Sequence, residues 1–275
     1  MPELPEVEVT IRNLKKHLFQ TQIIKVDVFY EKIVKDINLF KKICFKFFLD
    51  IQRKGKFLLF FLSKELVLVG HLRMEGKLYL NSLKEIPIDN DKHEHFRIFL
   101  SNNLVLRYYD FRKFGRFILY KKENYLKYSK LNELAEDPFE ISKEKFYSRL
   151  NAKNIIIKNI LLNQKIISGI GNIYASEILF LSKIHPETKA SVLNFKQTSL
   201  ILENAKKILK KAILFGGTSI STFEALGKKG SFQNQLLVYK QENKKCYFCQ
   251  KKIEKKKLNN RSTYFCSQCQ KFYKK

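Results

Sequence analysis

The stretch QRKGKFLLF, residues 52–60, folds back on itself when read for pattern: β-prone runs over 45–53 and 57–62 flank the turn pair Lys54-Gly55. Working outward, similar short runs recur at 23–30, 66–71, 77–80, 96–100, 104–109 and 116–120, punctuated by turn residues such as Ser101-Asn102-Asn103. Many short strands at this spacing predict a β-sandwich or barrel-like domain. A helix over 5–18 precedes them. Pro5 suits its first turn, Val7, Ile11, Leu14 and Leu18 form one apolar stripe, and Glu8 with Arg12 makes an i,i+4 pair.

From about residue 125 the pattern becomes helical. After Asp137-Pro138, Ser142 is placed to cap a helix over 143–150, and further helices are expected at 155–162, 172–181 and 194–215, the last closed by Gly216-Gly217. The segment GKKGSF, 227–232, reads as a mobile loop by composition. The fold class is therefore α+β and multidomain, as 275 residues allow.

Hydrophobic residues make up 45% of the chain, with 24 Phe and 13 Tyr, a globular rather than disordered composition. No apolar run is long enough to span a bilayer, and acids stand where a signal peptide would carry base, so a cytoplasmic protein without a membrane partner is expected. The net charge of +27 fits a phosphate-backbone partner. With 44 Lys against 9 Arg it also fits the coding bias of an AT-rich genome, so charge alone is a modest argument. That bias draws attention to Arg261, the one arginine after Arg149.

Arg261 lies inside a cysteine module. Cys246-x2-Cys249, sixteen residues, then Cys266-x2-Cys269 is the spacing of four thiolates on one tetrahedral Zn²⁺. With all four positions filled the ion is structural, and two disulfides are the disfavoured alternative in a cytoplasmic chain. Cys44, in a Phe-rich run, is expected to be plain core within a strand. Asn260–Tyr264 reads as a hairpin tip on which Arg261 either grips a phosphate or is simply solvated. Between two helices, GIGNIYASE at 169–177 brings two glycines and Asn172 to a helix start, a place suited to phosphate or to an ordinary helix connection.

Taken together, six motifs in order resemble the formamidopyrimidine-DNA glycosylase family over essentially the whole chain: PELPEVE at 2–8, QRKGKFLLF, HLRMEGKL at 71–78, DFRKFGR at 110–116, GIGNIYASE and the four-cysteine module. The resemblance implies a β-sandwich catalytic domain over 1–130, a helix-two-turn-helix DNA-binding domain over 131–238 and a zinc finger over 239–275, with DNA in the cleft between them. It implies removal of oxidised purines from double-stranded DNA followed by AP-lyase cleavage, by a monomer with one structural Zn²⁺ and no other cofactor. Met1 is lost and the secondary amine of Pro2 is the nucleophile, a group whose ordinary pKa of about 8 lies roughly two units below that of a lysine.

By the same resemblance Glu3 moves protons at the sugar, Glu6 is an acid near the same site, and Lys56 and Arg261 complete the catalytic set by holding phosphates. Met74, Arg112 and Phe114 fill the gap left by the extruded base. Without the family, Met74 and Phe114 read as core and Lys56 as an ordinary lysine at a strand edge. His93, Lys158 and Asn172 fall at DNA-facing positions, Cys246, Cys249, Cys266 and Cys269 hold the metal, and GKKGSF matches the flap over the flipped base. One departure stands out: Phe111 occupies a position where the family has Pro or Val, next to Arg112. The alternatives are the sister family, endonuclease VIII, acting on oxidised pyrimidines, and a non-catalytic zinc-containing DNA-binding protein. Leu4, Arg112 and Phe114 favour the purine enzyme.

Overall fold

The structure is a computed structural model describing residues 1–87, 89, 91–219 and 224–274. Chain contacts divide it into two units: residues 1–132 with 215–231, and residues 133–214 with 232–275.

In the first unit α1 (Leu4–Leu18) leads into β1 (Ile23–Val28), a short α2 (Ile37–Lys41), then β2 (Phe48–Lys54), β3 (Phe57–Leu62), β4 (Leu66–His71), β5 (Lys77–Ser82), β6 (Glu94–Leu100), β7 (Leu104–Tyr109), β8 (Arg116–Lys121) and the single turn α3 (Tyr125–Tyr128). The strands form two antiparallel four-stranded sheets, ordered β1-β6-β7-β5 and β2-β3-β4-β8. Apolar side chains from both sheets and from α1 meet in one core that includes Leu14, Phe48, Phe60, Phe96, Tyr108 and Phe117. That is the sandwich expected from the many short, closely spaced strands.

Strand β2 begins at Phe48 rather than at residue 45 because Phe45 sits at φ +61°, a turn conformation that a strand excludes. Cys44 accordingly lies in a turn, half-buried against the core edge, and not within a strand. The hairpin turn is Gly55-Lys56, closed by the pair Lys54 and Phe57, so Lys56 belongs to the turn itself. Gly55, at φ +56°, takes the first central position that a two-residue hairpin reserves for glycine.

In the second unit α4 (Lys143–Asn151), capped by the Ser142 hydroxyl, precedes α5 (Ile157–Leu162), α6 (Asn172–Leu181) and the long α7 (Phe195–Leu214). A final hairpin pairs β9 (Glu254–Leu258) with β10 (Arg261–Phe265) across Asn259-Asn260, both at positive φ. The cysteine ribbon groups with the helices because Phe180 of α6 shares a buried cluster with Val238, Cys246, Ile253, Tyr264 and Cys266. A module this small gains a core by borrowing one. Among the described residues no helix is long and apolar enough to cross a membrane.

Candidate active site and metal centre

Pro2, Glu3 and Glu6 are all buried at the head of α1; Glu3 and Glu6 are only 3% and 2% exposed. Glu3 is the N-cap residue, and the Glu6 carboxylate folds back to accept its N–H at 2.9 Å, half of a capping box. The other Glu6 oxygen accepts the N–H of Thr218 at 2.8 Å. Two main-chain donors thus hold the carboxylate, and the chain's second visit to this unit is tied to its first turn. The Met1 amine lies among Glu3, Glu6, Lys56 and Glu75, and burial keeps its pKa below the ordinary α-amino value, against the pull of Glu3 and Glu6. An amine so placed is readily the free base, the form that attacks electrophiles.

Lys56 is 6% exposed and close enough to influence both the amine and His71. His71 Nδ1 accepts the N–H of Arg73 at 2.9 Å, and its ring meets Phe57 edge-on at 4.4 Å. Burial, with Arg73 and Lys56 nearby, holds its pKa down to about 3, so the imidazole is neutral.

Met74 and Phe114 are 41% and 48% exposed, contrary to their reading as core, and Arg112 is exposed as well. The Arg112 guanidinium stands over the Phe114 ring at 4.7 Å. The loop carrying Arg112 and Phe114 is built by Asp110, the first residue of the DFRKFGR motif. Its buried carboxylate accepts the N–H groups of Arg112, Phe114 and Gly115 at 3.0, 2.8 and 2.7 Å. Gly115 is required there, since a Cβ would lie 1.7 Å from the Tyr108 hydroxyl. Phe111 projects from the same loop, 68% exposed, with its ring 4.5 Å from that of His93. His93 is half-buried, and its neighbour Glu94 is consumed by Arg97 and Arg107 at 2.8 and 2.6 Å.

In the second unit three expected residues converge on β10. Asn172 opens α6 after the N-cap Gly171, and its Nδ2 donates to the Ser262 carbonyl at 2.9 Å. Lys158 on α5 is only 1% exposed. Its Nζ donates to Thr263 Oγ1 at 2.8 Å and to Ser176 Oγ and the Ser262 carbonyl at 3.3 Å. Lys158, expected to face DNA, is thus an ammonium buried on at least three oxygens, and it holds the hairpin in place. Arg261, next to Ser262 in sequence, is exposed at the head of the hairpin. Glu177, the last residue of the GIGNIYASE motif, is buried and accepts the N–H groups of Leu237, Val238 and Tyr239 at 2.9, 3.0 and 2.8 Å. Burial raises its pKa against those three donors.

The sulfurs of Cys246, Cys249, Cys266 and Cys269 all lie within 4.8 Å of one another. The Cys246–Cys269 and Cys249–Cys266 separations of 3.8 and 3.4 Å are far beyond a disulfide bond. One matches and the other falls a little short of the edge of about 3.8 Å that a tetrahedron of thiolates has around Zn²⁺ at about 2.3 Å. The donor set fits a zinc site.

A sandwich with two buried acids at its N-terminus, followed by a helical unit and a four-thiol ribbon, is the construction of a class of DNA glycosylases. Two family models match: the formamidopyrimidine-DNA glycosylase N-terminal domain over residues 1–117 and the formamidopyrimidine-DNA glycosylase H2TH domain over 134–224. The chain belongs to the formamidopyrimidine-DNA glycosylase family. It is 42% identical to the formamidopyrimidine-DNA glycosylase of Mycoplasma mobile over 274 residues, covering 98% of this chain and 99% of that one. A crystal structure of the Lactococcus lactis Fpg with DNA containing an abasic site superposes with a TM-score of 0.91 at 36% identity, covering 98% of this chain and 99% of the other. The same protein with Fapy-dG-containing DNA gives a TM-score of 0.90 at 36% identity and the same coverage.

Proposed function

We propose that this chain removes oxidised purines from duplex DNA and cleaves the resulting abasic site. Family membership supports the reaction, and one observation carries its assignment to residues: the buried Pro2 adjoins a terminal amine that lies among Glu3, Glu6, Lys56 and Glu75. Once Met1 is removed, the amine there is that of Pro2. Its lone pair attacks C1′ of the damaged nucleoside, the bond from C1′ to the base breaks, and opening of the sugar leaves an iminium on the proline nitrogen. Glu3 moves the protons these steps require. The iminium acidifies the adjacent C–H bonds, so β-elimination expels the 3′ phosphate and δ-elimination the 5′ phosphate.

In this reading residues 1–130 carry the chemistry, with Lys56 as a phosphate contact and Met74, Arg112 and Phe114 filling the space the base vacates. Extrusion costs a few kcal/mol of stacking. An apolar wedge with a guanidinium facing the estranged base offsets it, and the exposure of all three side chains supports that role. Residues 131–238 and 239–275 hold the duplex, through Asn172 and Arg261. Cys246, Cys249, Cys266 and Cys269 would hold one Zn²⁺, which supplies rigidity to the hairpin bearing Arg261 and no reactive position.

Borohydride trapping tests the reading. With a duplex carrying 8-oxoguanine opposite cytosine, a covalent adduct is expected and should map to Pro2. No adduct from folded protein, or one on a lysine, would overturn the mechanism. Preferential cleavage of thymine glycol would move the substrate to oxidised pyrimidines.

A further inference from the structure

Phe111 stands where the family has Pro or Val, and the fold gives its ring a partner. β6 and β7 run antiparallel with Glu94 opposite Tyr109. His93, just before β6, and Asp110, just after β7, therefore come together where the pair ends. The main chain joins them there, for the Asp110 N–H donates to the His93 carbonyl at 3.0 Å. One residue on, the Phe111 and His93 rings meet at 4.5 Å with their planes tilted by 46°.

The rest of the loop is held by other groups. His95 Nε2 donates to the Asp110 carbonyl at 2.8 Å, and Lys113 Nζ stands over the Tyr30 ring at 4.8 Å. The His93 main chain is fixed from both sides, since its own N–H donates to Asp91 Oδ1 at 2.7 Å. The imidazole is held differently. Its Nδ1 is sealed from solvent with no hydrogen-bond partner among the described residues. Packing rather than a hydrogen bond at Nδ1 thus orients the ring, and the Phe111 ring packs against it. A valine or a proline offers no aromatic face for that contact.

In the proposed function this loop lies against the duplex, with Arg112 and Phe114 filling the space the base vacates. His93 sits at the foot of the same loop, and an imidazole N–H is a suitable donor to a backbone phosphate. With Nδ1 sealed, that contact falls to Nε2. Resting on that reading, we infer that Phe111 is a positioning residue for DNA binding: its ring holds the His93 imidazole in the orientation that directs Nε2 to a phosphate beside the loop. Phe111 is itself largely exposed, so its ring can be removed without opening the core.

The test uses the full chain with Met1 removed and a duplex carrying a tetrahydrofuran abasic analogue, which has no group at C1′ to expel and is bound without turnover. Affinity is measured for Phe111→Val, Phe111→Tyr, His93→Ala and the Phe111→Val, His93→Ala double variant. Phe111→Val should bind about fivefold more weakly, whereas Phe111→Tyr, which keeps the ring face, should stay within about twofold of the parent protein. The double variant should lose no more than His93→Ala alone, because both substitutions remove one contact. In the free protein the His93 ring-proton resonances, identified by their loss in His93→Ala, should shift in Phe111→Val and hold their place in Phe111→Tyr. Full affinity in Phe111→Val, additive losses in the double variant, or unmoved His93 resonances would overturn the inference and leave the proposed reaction standing. A parent protein that neither binds this duplex nor forms a borohydride adduct with a lesion duplex would overturn both.

Discussion

Glu6 and Thr218 stand 212 residues apart in the chain, yet the Thr218 N–H donates to Glu6 Oε1 at 2.8 Å while Glu6 Oε2 accepts the N–H of Glu3. Glu6 also raises the pKa of the terminal amine through its charge. Glu6→Gln keeps one acceptor oxygen, loses the other and removes that charge. Stability should fall by about 1–3 kcal/mol in denaturant titrations. The amine's pKa should fall as well, so the acidic limb of the Schiff-base-forming rate moves to lower pH. An unmoved limb would show that Glu6 is structural only.

His71 gives the fold a pH dependence whose sign is fixed. Its folded pKa, about 3, lies below the unfolded value near 6.5, so between these the unfolded chain binds the extra proton. Its contribution is complete above 6.5 and is lost as pH falls toward 3, with a slope approaching about 1.4 kcal/mol per pH unit. Denaturant midpoints compared at pH 7 and pH 5 should separate more in the parent protein than in His71→Gln.

Lys158 and Arg261 lie close to the same hairpin but act differently, and salt tells them apart. Arg261→Ala should weaken duplex binding and reduce the slope of log affinity against log salt by about one. Lys158→Met removes a buried ammonium and three hydrogen bonds, so affinity should drop about tenfold with the slope unchanged. A reduced slope in Lys158→Met would restore the phosphate contact.

Chelation should act on binding before chemistry. One zinc per chain is expected by atomic spectroscopy, and its removal should release the ribbon and cut duplex affinity by on the order of tenfold or more. The sandwich, with its separate core, should keep its thermal transition. A metal-free protein with unchanged affinity would contradict the zinc assignment's structural role.

Much of the fold was legible because it is written in local periodicity. Short β-prone runs and the Gly55 turn define β2 and β3, and the Val7, Ile11, Leu14, Leu18 stripe defines α1. The motifs pointed to the N-terminal acids and the four thiols in the same way. The remaining features depend on contacts that no period encodes. A lysine reads as solvated, so nothing announced that Lys158 would be buried on Thr263, 105 residues away. The Tyr79 hydroxyl donates to Glu224, 145 residues away, and each residue is unremarkable in its own neighbourhood. Asp110 was the recoverable omission, since an aspartate heading a short loop that ends in glycine commonly accepts the loop's own N–H groups.

The way Asp110 builds its loop also bears on variation. The carboxylate holds main-chain N–H groups, which every residue but proline supplies, so between Asp110 and Gly115 the backbone path over 111–114 is largely indifferent to the side chains it carries. The side chain at 111 can therefore change without refolding the loop or displacing Arg112 and Phe114. The aromatic ring of Phe111 is such a change, an inherited experiment on the outer face of a fixed frame.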